Sequence, residues 1–364
     1  MVKKRIGPRP LVAHHSLLQQ AVGQGSILNS DLSKFLQSVD LYQKNECDYT
    51  DITARIFEQE VESSLYIFEA HQAQKKDQTL FIIPSLINRA TVLDLTSDRS
   101  MCRYFARQGF DVYLLEWGRP QAESLEFDLY DYHQKRLQPL FRKVYEKYQK
   151  PIHVMGFCMG GVFALGLGLE DDLVDENQIA SIAFFAPPWD FSVIDEKDSK
   201  NLVSYYKSIK NMTSMLEVDQ IQMMFLGLDP WHVYNKFLKF ASYDQTSEKA
   251  AYFIAMEDWV NDGVPLVRDV ADMIILGWYE NNLLPQKRMT WGDDVLDPSS
   301  VKVPQAVFIA DNDRIVPMGS SQKLADQLPK ADVFHYPCGH TSLVAGDVAI
   351  KNVWQDYKNW LLSL

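Results

Sequence analysis

The stretch Pro151-Ile-His-Val-Met-Gly-Phe-Cys-Met-Gly-Gly-Val-Phe-Ala-Leu-Gly-Leu-Gly168 decides how the rest of the chain is read. Ile152–Met155 is a short apolar run of the kind that forms a buried strand, and Val162–Leu169 continues as an apolar helix. Between them Gly156, Gly160 and Gly161 surround Cys158 in the order Gly-x-Cys-x-Gly. A strand, a tight turn and a helix in that order make a nucleophile elbow, with cysteine in the place more often held by serine. The glycines are needed because side chains flanking a residue on so sharp a turn collide with the neighbouring strand and helix. The turn also leaves Cys158 at a helix N-terminus, where backbone N–H groups and the helix dipole favour a thiolate and, later, an oxyanion. A buried cysteine alone reads equally well as inert packing. The correct order of strand and helix, and suitable partners downstream, favour chemistry.

Outward from this stretch, short apolar strands alternate with amphipathic helices from Thr79 onward, the pattern of an α/β domain. Strands are expected at Leu80–Ile83, Val112–Glu116, Ile179–Ala186, Gln305–Ala310 and Val333–Tyr336, with a further strand at Val61–Ala70. Helices are expected at Arg99–Gln108, Phe127–Tyr148 with a kink at Pro139, Ser320–Leu328 and Val348–Leu362. The alternation stops near Trp189. Residues 190–290 are rich in methionine and aromatic side chains at helical spacing, and they read as a helical cap inserted into the core. The resulting division is an N-terminal helical segment over 1–60, core over 61–189, cap over 190–290 and core again over 291–364. Residues 1–60 carry no motif and read either as a helical layer or as a docking arm for a partner.

The chain has 364 residues, enough for a large core, and its formal net charge of −12 speaks against a non-specific nucleic-acid binder. Four cysteines, Cys47, Cys102, Cys158 and Cys338, are far apart and form no CxxC pair, which suits a reducing compartment better than a disulfide framework. The eight histidines are scattered, with His14-His15 the only adjacent pair, and no metal site is expected. Lys3-Lys4-Arg5 is followed by Pro8 and Pro10 rather than an apolar run, and no stretch is long enough to span a bilayer. A soluble cytoplasmic protein is expected.

Acyl chemistry at Cys158 needs a base, a carboxylate near the base, and donors for an oxyanion. In the α/β-hydrolase order the acid and the histidine follow the nucleophile, on loops after the last strands. Asp313 and His340 occupy those positions. Asp311 competes for the acid's role, but Asp313 lies deeper in its loop, just before Arg-Ile-Val-Pro, and is preferred. His153 and His335 fall within strands and read as packed or hydrogen-bonded. The oxyanion donors are expected to be the backbone N–H of Met159 and one from the loop after Leu80–Ile83, with Leu86 the best candidate. A cysteine nucleophile exchanges with a thioester at nearly constant free energy and remains a good leaving group toward a hydroxyl. It therefore suits repeated acyl transfer, whereas serine suits hydrolysis.

Gly156-Phe157-Cys158-Met159-Gly160-Gly161 resembles the Gly-x-Cys-x-Gly-Gly box of the polyhydroxyalkanoate synthases. Pro84–Asn88, Asp94, Asp98-Arg99-Ser100, Asp111–Gly118 and Asp313–Pro317 resemble that family too, so the likeness covers about residues 65–362. At the histidine loop the family's Gly-Gly-His reads Cys338-Gly339-His340 here. The length resembles that of the short synthases, class III or IV, which work with a second subunit. The resemblance implies an α/β-hydrolase fold and an (R)-3-hydroxyacyl-CoA substrate, with polyester and free CoA as products and no cofactor. Cys158 would carry the acyl chain, His340 would activate it, and Asp313 would assist. A second synthase subunit or a homodimer, and a place at the surface of a polyester granule, also follow from it. The competing readings are a thioesterase or esterase with the same three residues, and a non-enzymatic granule scaffold.

Overall fold

A computed structural model describes residues 5–45 and 52–364, so Cys47 and Lys3-Lys4 lie outside the described residues. Eight strands form the central sheet: β1 (Arg55–Glu60), β2 (Ser63–Phe68), β3 (Gln78–Ile83), β4 (Phe110–Glu116), β5 (Ile152–Phe157), β6 (Ile179–Phe185), β7 (Gln305–Ala310) and β8 (Ala331–Tyr336). Their spatial order is β1-β2-β4-β3-β5-β6-β7-β8. β2 runs antiparallel to both its neighbours, and β4 through β8 are parallel to one another and to β3. A parallel sheet is covered by helices on both faces, and its inner strands are accordingly continuous apolar runs such as Leu80–Ile83, all fully buried.

The expected strands and helices recur with small shifts at their ends, and two places differ. Arg55–Glu60, inside the segment expected to be helical, is the edge strand β1; its side chains, among them Arg55, Glu58 and Glu60, are exposed or half-buried and give it no apolar period to recognise. Val61, expected within a strand, sits instead in the β1–β2 turn at φ 52°. Over residues 129–148 the expected kink is a widened π-helical turn at His133–Leu137. Pro139 follows directly; it lacks the N–H that would reach the Lys135 carbonyl, and its ring crowds that carbonyl.

Between β6 and β7 the chain leaves the sheet and forms the helices Glu196–Ile209, Val218–Leu228, His232–Ala241 and Glu248–Asn261, then a shorter helix with a π-helical end at Met273–Glu280. The N-terminal helices Leu11–Gly23 and Asn29–Gln43 pack on this layer rather than on the sheet. Leu18, Phe35, Val39 and Tyr42 form a second apolar core with Phe237, Phe240, Ala250 and Ile254, apart from the main one. An ion pair locks the contact: Arg5 donates from Nε and Nη2 to the two oxygens of Asp258, both at 2.7 Å, and the Tyr42 hydroxyl donates to the same carboxylate at 2.8 Å.

Candidate active site

β5 is the central strand of the parallel set, and it delivers Cys158 to the end of the sheet. Cys158 has φ 54°, and its N–H donates to the Phe185 carbonyl at the end of β6 at 2.8 Å. The helix Gly160–Leu169 starts two residues later and aims its N-terminus at the turn. The glycines have specific reasons here. A Cβ on Gly160 would run into the Ile83 and Pro84 carbonyl oxygens, and one on Gly156 into the Gly160 backbone.

The acid and histidine loops follow β7 and β8, which are paired in parallel register from Gln305 and Ala331 onward. Backbone bonds stitch the two loops together: Asp311 N–H donates to the Tyr336 carbonyl at 2.9 Å and Asn312 N–H to the Cys338 carbonyl at 3.0 Å. Asp313 turns inward, its Oδ1 accepting from Ile315 and Val316 N–H at 2.8 and 2.9 Å. Its other oxygen faces His340 Nδ1 at 2.6 Å. Asp311 pairs instead with His335 on the surface, at 2.8 Å. The two candidate acids are thereby separated.

Cys158, Asp313 and His340 come together, all buried. Burial alone would lower the His340 pKa, but the Asp313 carboxylate, then Cys158, reverse this and raise it to about 10, helped by hydrogen bonds to both. Both neighbours therefore favour the charged form of the imidazole. His153 behaves in the opposite way: burial lowers it to about 4, and its Nδ1 meets Ser181 Oγ at 2.8 Å. Burial, and to a lesser degree Cys158, push the phenol of Tyr279 up, which places this cap residue near the nucleophile. Cys338 is buried too, and burial followed by Asp313 and Asp311 raises its pKa to about 11.

Cys158 and His340 open into a cavity of about 600 Å³. Ser85, Ile87 and Asn88 line it from the loop after β3, and the side chain of Leu86 packs in the core. Met159 leads into the elbow helix and is buried beneath the same turn. The far wall comes from the cap and the N-terminal segment, through Phe225, Lys236, Glu257, Arg9 and His14 among others. Phe225 belongs to the aromatic set of the cap and His14 to the His14-His15 pair, whereas Arg9, Lys236 and Glu257 have no mark in the sequence. They carry no motif, and only the docking of the N-terminal segment on the cap brings them to the cavity. Among the described residues no group of three or more side chains is placed to hold a metal ion, and no helix is long and apolar enough to cross a membrane.

No family model matches the chain. It is 22% identical over 300 residues to the poly(3-hydroxyalkanoate) polymerase subunit PhaC of Haloarcula marismortui, covering 80% of this chain and 62% of that protein. It is 24% identical over 315 residues to the same subunit of Synechocystis, covering 83% of this chain and 82% of that one. The chain is similar to these poly(3-hydroxyalkanoate) polymerase subunits along most of its length. It spans less than two thirds of the length of the Haloarcula protein, and the same holds for the Haloferax mediterranei subunit, of which it covers 60%. Among solved structures, a serine hydrolase from Cycloclasticus zankles superposes with a TM-score of 0.53 over 84% of this chain and 98% of its own, at 14% identity. That likeness, with the strand order, makes the fold an α/β-hydrolase fold.

Proposed function

We propose that this chain is an acyltransferase that builds a polyester from (R)-3-hydroxyacyl-CoA and releases CoA, carrying the acyl group as a thioester on Cys158. The observation that carries the reading is a cysteine on the elbow, beside a histidine backed by a buried carboxylate, in a chain similar to polymerases of this class.

In the first half-reaction the Cys158 sulfur attacks the thioester carbonyl and the oxyanion forms against backbone N–H groups, of which Met159 supplies one. The bond to CoA sulfur breaks, and the His340 proton goes to the departing thiolate. His340 is now neutral. In the second half-reaction the 3-hydroxyl of another hydroxyacyl-CoA attacks the Cys158 thioester, His340 takes its proton, and Cys158 leaves as the thiolate. The product is a CoA thioester longer by one ester bond, which can reload Cys158. Asp313 keeps His340 oriented and stabilises its charged form. No cofactor takes part.

Water competes with the hydroxyl for the acyl enzyme. Transfer prevails where the cap holds the hydroxyl close, since effective molarities of about 10⁵ M or more are attainable for well-placed groups. The test incubates the protein with (R)-3-hydroxybutyryl-CoA and measures CoA, ester bonds and free 3-hydroxy acid together. Ester bonds equal to the CoA released are expected, with none from Cys158→Ala. Free acid equal to the CoA released would make this a thioesterase. Because the relatives are described as subunits, the isolated chain is expected to be slow until a second chain is supplied.

A further inference from the structure

The cavity that begins at Cys158 has a second polar group of side chains in its wall, outside the catalytic three. Lys236, on the helix His232–Ala241, and Glu257, on the helix Glu248–Asn261, form an ion pair with Nζ 2.6 Å from Oε1. Both residues line the cavity. Glu257 is only 3% exposed, and its other oxygen, Oε2, is buried with no hydrogen-bond partner among the described residues. A buried carboxylate oxygen left without a donor costs free energy, so a native site of this kind calls for a donor that arrives with a ligand. Lys236 uses one of its three donors on Glu257 Oε1, which leaves it able to serve an acceptor as well.

The other charged groups along the same wall are committed elsewhere. Arg9 Nε donates to Asp219 and Arg314 Nη1 to Asp229, each at 2.7 Å. His14 Nε2 lies 3.4 Å from the Arg9 carbonyl, and burial, only partly offset by that carbonyl and reinforced by Lys236, lowers its pKa. The wall at Glu257 and Lys236 is therefore suited to a neutral group that donates one hydrogen bond and accepts another. A secondary amide is that group: its N–H matches Oε2 and its carbonyl matches the ammonium.

We propose that Glu257 and Lys236 form a subsite that binds an amide of the acyl donor's arm, the part between the thioester sulfur and the phosphates. This rests on the acyl-transfer reading, because it takes the arm to be that of a CoA thioester, whose pantetheine portion carries two secondary amides. The pair makes the enzyme selective for donors with an amide-bearing arm over simple alkyl thioesters, independently of the acyl group.

The test compares (R)-3-hydroxybutyryl-CoA with the ethanethiol thioester of the same acid, which has no amide. Glu257→Gln keeps the shape and, with its amide oxygen held by Lys236, puts an NH2 donor where Oε2 accepts; it is expected to raise KM for the CoA donor about tenfold, with kcat little changed. KM for the ethanethiol donor is expected to stay at the wild-type value. The double variant Lys236→Met with Glu257→Met removes donor and acceptor together, leaves no unpaired charge and guards against misfolding as an explanation. It is expected to show the same split. Equal shifts for both donors, or none, would overturn the subsite. Calorimetric binding of pantetheine to the full chain gives a second readout that needs no turnover. Binding about ten times weaker in Glu257→Gln supports the subsite, and unchanged binding, or no binding to the wild type, overturns it. If the wild type releases thiol from neither donor, the acyl-transfer reading fails, and pantetheine binding still decides the subsite.

Discussion

His340 Nδ1 lies 2.6 Å from Oδ2 of Asp313, while Asp311, two residues earlier on the same loop, faces His335 at the surface. The difference is set by the Asp313 backbone, whose turn offers the Ile315 and Val316 N–H groups to Oδ1 and leaves Oδ2 for the imidazole. Asp313→Asn removes the charge while keeping the shape. It is expected to slow acylation of Cys158 by about 10³–10⁴, as loss of the orienting carboxylate does in comparable triads. Asp311→Asn is expected to leave the rate near that of the wild type. Single-turnover acylation with a labelled acyl-CoA measures both, and a large effect at Asp311 would reassign the acid.

Cys158→Ala is expected to abolish the covalent adduct, seen by mass mapping of the peptide containing residue 158. Cys158→Ser is expected to keep at most a trace of transfer, since a hydroxyl is a weaker nucleophile than a thiolate at the same position. Both variants should fold, because Cys158 is a small side chain at the edge of the cavity.

The proton on His340 gives a prediction in pH. Its folded value, about 10, lies above the usual 6.5, so the native state holds this proton more tightly than the unfolded chain does. The resulting stability is fully present below about pH 6.5 and is lost as the pH rises through 10. NMR titration of the imidazole is expected to show a charged ring throughout the neutral range. Asp313→Asn should lower the midpoint by more than Cys158→Ala, because the carboxylate is the larger of the two raising influences. A wild-type midpoint near 6.5 would contradict the ion-paired site.

Gly160→Ala puts a methyl group against the Ile83 and Pro84 carbonyl oxygens, which belong to the sheet and to the loop lining the cavity. Overpacking of this kind costs about 1–3 kcal/mol. It should also displace the elbow and suppress acylation. Gly227, on the cap helix Val218–Leu228, has nothing within 4 Å of an added Cβ, so Gly227→Ala is expected to stabilise by roughly 0.5–1 kcal/mol. Thermal melts compare the two directly.

The elbow was legible because its chemistry forces its sequence: a turn this tight admits only glycine at positions 156 and 160. The parallel strands were legible because burial on both faces makes them unbroken apolar runs, as in Leu80–Ile83 and Ala306–Ala310. Strand β1 was not, because an edge strand with Arg55, Glu58 and Glu60 has little apolar face to show. Leu86 was chosen for its backbone N–H by its place after β3; its side chain packs in the core, while Ser85, Ile87 and Asn88 beside it line the cavity. Arg9, His14, Lys236 and Glu257 come from elements far apart in the chain, and only tertiary packing brings them to one wall.

That wall depends on the N-terminal segment staying docked on the cap, and Asp258 is the anchor. It accepts both nitrogens of Arg5 and the Tyr42 hydroxyl, and the Arg5–Asp258 pair is almost wholly buried, with each side chain 5% exposed. Removing one member of a buried pair leaves the other charge uncompensated, at a cost of about 3–5 kcal/mol. Asp258→Ala is therefore expected to lower the urea midpoint clearly and to speed hydrogen exchange in Leu11–Gly23, Asn29–Gln43 and His232–Ala241, with β3, β5 and β6 unaffected below the global transition. Because Arg9 and His14 belong to the same segment, KM for the acyl donor should rise in this variant even where the protein remains folded. Replacing both members by apolar residues, Arg5→Met with Asp258→Leu, should restore much of the stability, since a buried pair rarely stabilises more than the packing that replaces it. Tyr42→Phe belongs in that background, because the hydroxyl loses its acceptor there. If Asp258→Ala exchanges and melts like the wild type, the segment is held by the Leu18, Phe35 and Phe237 core alone and the ion pair is incidental to it.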